Sequence, residues 1–174
     1  MNFFCKTRAR IDLYIGLDLK LASKADIIGD ALKLPFRANS FDTVLLIQVL
    51  EHIPKPKKML EEIYRVLKKG GYLVLTCPLT WNLHEEPYDY FRYTCYGLKY
   101  LCEWVGFNVL MIKPRTGKWG AIGQMLCNAI YFSGGKRVLI KISLCALISL
   151  VFYHLDKINE DPMLSLGYLL IAEK

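Results

Sequence analysis

The sequence predicts an α/β fold built on a mostly parallel sheet, and three observations predict it. Short apolar runs recur at 13–18, 25–29, 41–48, 72–77, 107–112 and 166–172. Helical patterns separate some of them, at 57–69 and 95–105. Acidic residues follow the first three runs, at Asp18, Asp30 and Glu51. Strands alternating with helices imply a parallel sheet. Ligands of such sheets bind at the carboxyl ends of the strands, so the three acids fall along one rim. Taken singly, each acid is read as a helix cap or a loop carboxylate.

The first run, LYIGLD, has apolar Leu13, Ile15 and Leu17, with Tyr14 as a good strand former. Its Gly16 lets another group approach the backbone. The run 41–48, FDTVLLIQ, is almost continuously apolar, as expected when helices cover both faces of a sheet. Before it lies LKLPFRANS, a turn with Pro35. In 57–69, Met59, Leu60, Ile63, Val66 and Leu67 make one apolar stripe, and Glu61 and Arg65 are spaced to pair. Lys68 and Lys69 suit a helix C-terminus, and Gly70 supplies the stop. Thr94 is the expected N-cap of the helix at 95–105, with Gly106 past its end.

Residues 118–158 break this rhythm. They hold AIGQMLCNAIYF, a break at Ser133–Gly135, and VLIKISLCALISLVFYHL. Ile142–Tyr153 is twelve residues without a charge, shorter than the roughly 20 that a spanning helix needs. The expectation is a helical pair packed on the sheet or on itself. The alternative is a hairpin resting on a membrane surface or a partner.

At 174 residues and 53% apolar, the chain suits one domain with a sizeable core. We read 1–174 as that domain: a core at 13–112, the insertion at 118–158 and a last strand at 164–174. The net charge of +7 is spread out rather than gathered in a stripe, which argues against nucleic acid as a ligand. An anionic membrane surface suits the charge better. None of the six cysteines forms a C-x-x-C pair, so buried thiols in a reducing cytoplasm are expected and no metal is. The start, MNFFCKTRAR, does not read as a signal peptide.

The stretch from Ala25 to Pro78 resembles the class I S-adenosylmethionine-dependent methyltransferases of the type 11 group. The matching elements are D-A-x-x-L-P-F at Asp30–Phe36, S-F-D-x-V at Ser40–Val44, V-L-E-H at Val49–His52 and R-V-L-K-x-G-G at Arg65–Gly71. Each is weak alone; their order and spacing make the signal strong. The resemblance covers 13–112 and resumes at the last strand. It implies a Rossmann-like sheet whose last strand is antiparallel, and S-adenosylmethionine as cofactor. By position, Asp18 is implied to bind the ribose hydroxyls and Asp30 the adenine amino group. Ala31 and Leu32 are implied to meet the adenine ring, and Gln48 to border the methionine part. His52 is read as capping or orienting its loop. A dehydrogenase is disfavoured, because the first and third of these elements do not belong to that class.

A second stretch, TWNLHEEPYDYFRYTCYGL, resembles the H-x-x-P-x-D-x-x-R-x-T segment of a bacterial subset of the group. His84, Asp89 and Arg92 stand among Trp81, Tyr88, Tyr90, Phe91 and Tyr93, a composition that fits a small-molecule acceptor pocket. Because the sulfonium methyl is already activated, positioning and exclusion of water provide most of the catalysis. His84, Asp89 and Arg92 are the candidate catalytic residues, with His84 first as a base because an imidazole titrates near neutrality. The alternative is that His84, Asp89 and Arg92 form a network that fixes the loop.

The family's D-x-G-x-G-x-G loop is not in this sequence, and only twelve residues, none of them glycine, precede the first apolar run. The expected chain is therefore N-terminally shortened, without the first strand and helix. Its function is methyl transfer to a small-molecule acceptor. The alternative is a non-catalytic remnant that binds a membrane or a partner. The expected location is cytoplasmic, with membrane association through 118–158.

Overall fold

The computed structural model describes residues 12–19, 25–135, 137–158 and 161–174. The expectations for 1–11 lie outside the described residues. Six strands are described: β1 (Leu17–Asp18), β2 (Ile27–Ile28), β3 (Phe41–Ile47), β4 (Leu67–Pro78), β5 (Asn108–Pro114) and β6 (Gly167–Glu173). The helices are α1 (Pro56–Val66), α2 (Cys95–Val105), α3 (Lys118–Phe132) and α4 (Val138–Ile158), with a short 3-10 turn at Leu50–His52.

β1 and β2 pair in parallel, with Leu17 opposite Ile27 and Asp18 opposite Ile28. The larger sheet has the order β3-β4-β6-β5. β3 and β4 are parallel, and β6 runs antiparallel between β4 and β5. The antiparallel last strand is therefore as expected. It passes so close to β4 that a Cβ on Gly167 would collide with the Cys77 carbonyl.

The core lies on one face of this sheet. Leu73, Leu75 and Cys77 of β4 and Leu170 and Ala172 of β6 meet Leu60 and Ile63 of α1 and Leu98 and Cys102 of α2. The alternation along β4 follows from the two-residue period of a strand. The opposite face is covered less than the apolar run suggested. Leu45 and Ile47 are 56% and 50% exposed, so β3 is not buried on both faces.

Helix α2 follows its signals. The Thr94 side chain accepts a hydrogen bond from the Gly97 amide, and Gly106 closes the helix at φ 111°. Helix α1 stops four residues before Gly70. Leu67 leaves the helix with ψ 140° and joins β4 opposite Phe41, fully buried. Lys68 consequently lies on a strand and pairs with Asp42 rather than the helix end. The Arg65 partner is Glu62 at i,i+3, while Glu61 pairs with Lys57.

Residues 118–158 form an antiparallel helical hairpin. The Asp156 carboxylate of α4 accepts hydrogen bonds from the Gly117 and Trp119 amides at the start of α3. A Cβ on Gly123 would stand 2.6 Å from Phe152 Cβ, so the glycine sets the helix approach there. Of the two packings expected, the helices adopt the one against each other. No described residue of α4 is buried.

Candidate functional site

The Rossmann-like arrangement puts the sequence-predicted residues at strand ends. Asp18 closes β1, and its carbonyl accepts the Gly29 amide at 2.9 Å. Asp30 lies two residues past β2. Its Oδ1 accepts the Leu32 amide at 2.8 Å, and its carbonyl accepts the Lys33 amide at 3.0 Å. Asp30 thus shapes its own turn with one carboxylate oxygen. Because β1 and β2 are parallel and in register, the two carboxylates lie at the same end of the pair. Ala31 and Leu32 are half-buried against the core.

The D-A-x-x-L-P-F turn is tied to α1. Arg65 donates to the Phe36 carbonyl at 2.8 Å and the Leu34 carbonyl at 3.1 Å. Glu62 accepts the Leu34 amide at 2.9 Å, and the Arg65 hydrogen bonds hold its carboxyl below the usual range. Two motifs far apart in sequence therefore hold one another, a purely structural role that the pattern alone did not assign.

Gln48 adopts φ 53°, a left-handed conformation uncommon outside glycine. Its backbone amide donates to the Thr76 carbonyl at 3.0 Å and its side-chain amide to Thr76 Oγ1 at 3.2 Å. The chain then enters the 3-10 turn that carries Glu51 and His52.

The segment after β4 folds back onto this turn. The Tyr90 and Phe91 amides donate to the Glu51 carbonyl at 2.9 and 3.2 Å. His52 Nδ1 bonds the Tyr88 carbonyl at 2.8 Å, as its loop-orienting role anticipated. Arg92 grips Asp89 through both carboxylate oxygens, at 2.6 and 2.7 Å, and also donates to the Asn82 carbonyl. The Asp89 side chain is 1% exposed, and Arg92 holds its carboxyl well below the usual range. The His84 amide donates to Asp89 Oδ2 at 3.1 Å. His84, Asp89 and Arg92 are thus brought together. Arg92 fixes Asp89, Asp89 holds the His84 backbone, and the His84 side chain is 32% exposed. The His84 and His52 rings lie edge to face, 4.7 Å apart.

Glu51 is not the loop carboxylate that its position alone suggested. It is fully buried, and among the described residues neither carboxylate oxygen has a side-chain partner in hydrogen-bond geometry. Burial pushes its carboxyl up, opposed by its own backbone amide and by the nearby His52, His84 and Arg92. A Glu-His pair directly after a strand, with a histidine in the loop after the next strand, was the available sequence signal. Among the described cysteines, Cys77, Cys102 and Cys127 are buried as expected, while Cys95 and Cys145 are only partly so; burial pushes both Cys77 and Cys102 up to about 12.

Two concavities, of about 620 and 570 Å³, lie on the β5 side. They involve Ile112, Pro114 and the 161–163 loop and do not include His84, Asp89 or Arg92.

Strands, crossover helix and terminal antiparallel strand define a class I methyltransferase fold. Residues 12–75 match the model of a family described as a methyltransferase domain. Over these residues the chain is similar to the class I S-adenosylmethionine-dependent methyltransferases of the type 11 group. It is 34% identical over 92 residues to the ubiquinone/menaquinone biosynthesis C-methyltransferase UbiE of a Ruegeria species, covering 53% of this chain and 31% of that one. Its fold matches an S-adenosylmethionine-dependent methyltransferase of Archaeoglobus fulgidus at TM-score 0.54 and 19% identity, over 92% of this chain and 75% of that one. It also matches the cyclase SpnF at TM-score 0.55 and 21% identity, over 85% and 56%. Likeness at this identity shows the fold alone, and fold does not fix chemistry. The chain spans between 22% and 35% of the length of the first curated relatives it matches.

Proposed function

We propose that this chain takes part in methyl transfer from S-adenosylmethionine to a small-molecule acceptor. The observation that carries this reading is the parallel, in-register β1–β2 pair, with Asp18 and Asp30 at its carboxyl end. Asp18 binds the ribose hydroxyls, since a carboxylate accepts two such bonds side by side. Asp30 has used Oδ1 on its own turn, which leaves Oδ2 for the adenine amino group. Ala31 and Leu32 supply the ring contact, and Gln48 borders the methionine end. When bound, the cofactor supplies an activated sulfonium methyl. The segment 82–93 excludes water, and His84 takes the proton from a hydroxyl or amine acceptor.

The test is a calorimetric titration of the purified chain with S-adenosylhomocysteine. Micromolar binding that disappears in the Asp18→Ala/Asp30→Ala double variant is the expected outcome. Binding that survives the double variant rejects the site assignment. No binding by this chain or by a version extended upstream favours the non-catalytic remnant.

A second reading concerns the α3–α4 hairpin and rests on a separate observation. Helix α4 is 21 residues long, with mean hydropathy 2.1 and none of that stretch buried. Arg137, Lys141 and Lys157 stand near its ends. We infer that the hairpin lies on an anionic membrane surface, its apolar side in the acyl boundary. The chain should then float with phosphatidylserine vesicles and release at high salt. Remaining at the bottom of the gradient rejects this reading.

A further inference from the structure

We propose that Glu51, His52 and His84 form a divalent-cation site of the two-histidine, one-carboxylate type, suited to a first-row transition cation such as Zn(II). One ligating atom from each residue lies within 4.8 Å of the other two. His52 Nε2 stands 3.9 Å from Glu51 Oε1. Ligands of a tetrahedral zinc ion sit about 3.4 Å apart, given metal–ligand distances near 2.1 Å. The site closes around a cation by side-chain rotations of an ångström or so.

Two further observations point to a ligand. The first is the Glu51 carboxylate itself, wholly inaccessible and, among the described residues, with no side-chain partner in hydrogen-bond geometry on either oxygen. A buried carboxylate is costly unless it is paired or coordinates a metal. Protonation does not resolve this one, because the resulting hydroxyl would still need an acceptor. Arg92 does not neutralise it either, since the guanidinium is engaged by Asp89. The second observation is the tautomer of the two imidazoles. His52 Nδ1 faces the Tyr88 carbonyl at 2.8 Å, and His84 Nδ1 faces the Asn82 carbonyl at 3.1 Å. A carbonyl only accepts, so each Nδ1 carries the proton and each Nε2 keeps its lone pair. Backbone carbonyls holding the far nitrogen in this way are the usual supports of metal-binding histidines.

The site is assembled from the ends of β3 and β4. Glu51 and His52 come from the 3-10 turn, and His84 from the segment that the Asp89–Arg92 pair pins down. Three protein ligands leave a coordination position open for water or an oxygen donor. A bound cation occupies the His84 Nε2 lone pair, so the proton transfer proposed for His84 applies to the metal-free chain; the test of the cation site uses no cofactor.

Co(II) is the probe, because its visible absorption reports the ligand set. Titration of the purified chain should show one Co(II) per chain with a nitrogen/oxygen spectrum and no thiolate charge-transfer band. Zn(II) should displace it. Glu51→Gln and His84→Asn should each weaken binding by about 100-fold or more. His84 is 32% exposed, so its variant tests the ligand without touching the core. Circular dichroism of both variants without metal checks that they fold. No stoichiometric uptake, a thiolate spectrum, or unchanged affinity in His84→Asn overturns the proposal.

Discussion

Helix α1 is rich in charged residues and α4 is mostly apolar, yet it is α1 that buries its apolar side chains and α4 that leaves them exposed. In α1 the apolar side chains recur on one stripe, and Met59, Leu60, Ile63 and Val66 all disappear into the core. Along α4 they surround the helix, and Leu139, Leu147 and Leu150 are each more than half exposed. A stripe marks a helix that covers a sheet, whereas a helix apolar all round needs an apolar environment on every side. Hydrophobic content therefore says little about burial in this chain; its periodicity says much more.

A matched pair of truncations separates the two helices. Leu60→Ala in α1 empties a fully buried site and should cost about 2–5 kcal/mol in urea unfolding. Leu147→Ala in α4, 59% exposed, should fall within about 0.5 kcal/mol. Equal losses would mean that α4 is buried in solution by something other than this chain.

Removing Arg92 should have the next largest effect. Arg92→Ala strands the buried Asp89 charge and should cost about 2–3 kcal/mol, discounted because the guanidinium is partly exposed. The pH dependence has a definite sign. The folded Asp89 carboxyl lies below its unfolded value of about 3.9, so its contribution is complete above that pH. It is lost as pH falls from there toward the folded value. Melting temperature measured from pH 6 to 2 should drop less steeply in Asp89→Asn than in the parent chain.

Thr94→Ala should cost about 1 kcal/mol by removing the cap of α2. A loss near zero would indicate that packing of Leu98 and Cys102 alone holds that helix. The smallest effect is expected on the hairpin side. Lys141→Ala should weaken partition to anionic vesicles by about 1 kcal/mol or less, and losing its hydrogen bonds to the Tyr131 and Gly134 carbonyls should cost no more than about 1 kcal/mol in unfolding.

The order of strands and helices was readable from the residues alone, because residue period and caps are local properties. Thr94 and Gly106 bound α2 as their chemistry dictates, and the four methyltransferase elements stand where the strands put them. Asp18 and Asp30 were also legible, since each simply follows a short apolar strand. Other features were decided only when distant segments met. Helix α1 ends at Val66 because Leu67 is needed opposite Phe41, and no helix signal encodes a strand partner 26 residues away. Arg65 answers to the carbonyls of Leu34 and Phe36 for the same reason. The bare face of β3 depends on what packs beside it, which an apolar run cannot report. The Glu51, His52 and His84 cluster joins two loops 32 residues apart, and no spacing rule for one loop could have found it. Local periodicity fixes elements; the return of the chain onto itself fixes which side chains share a site.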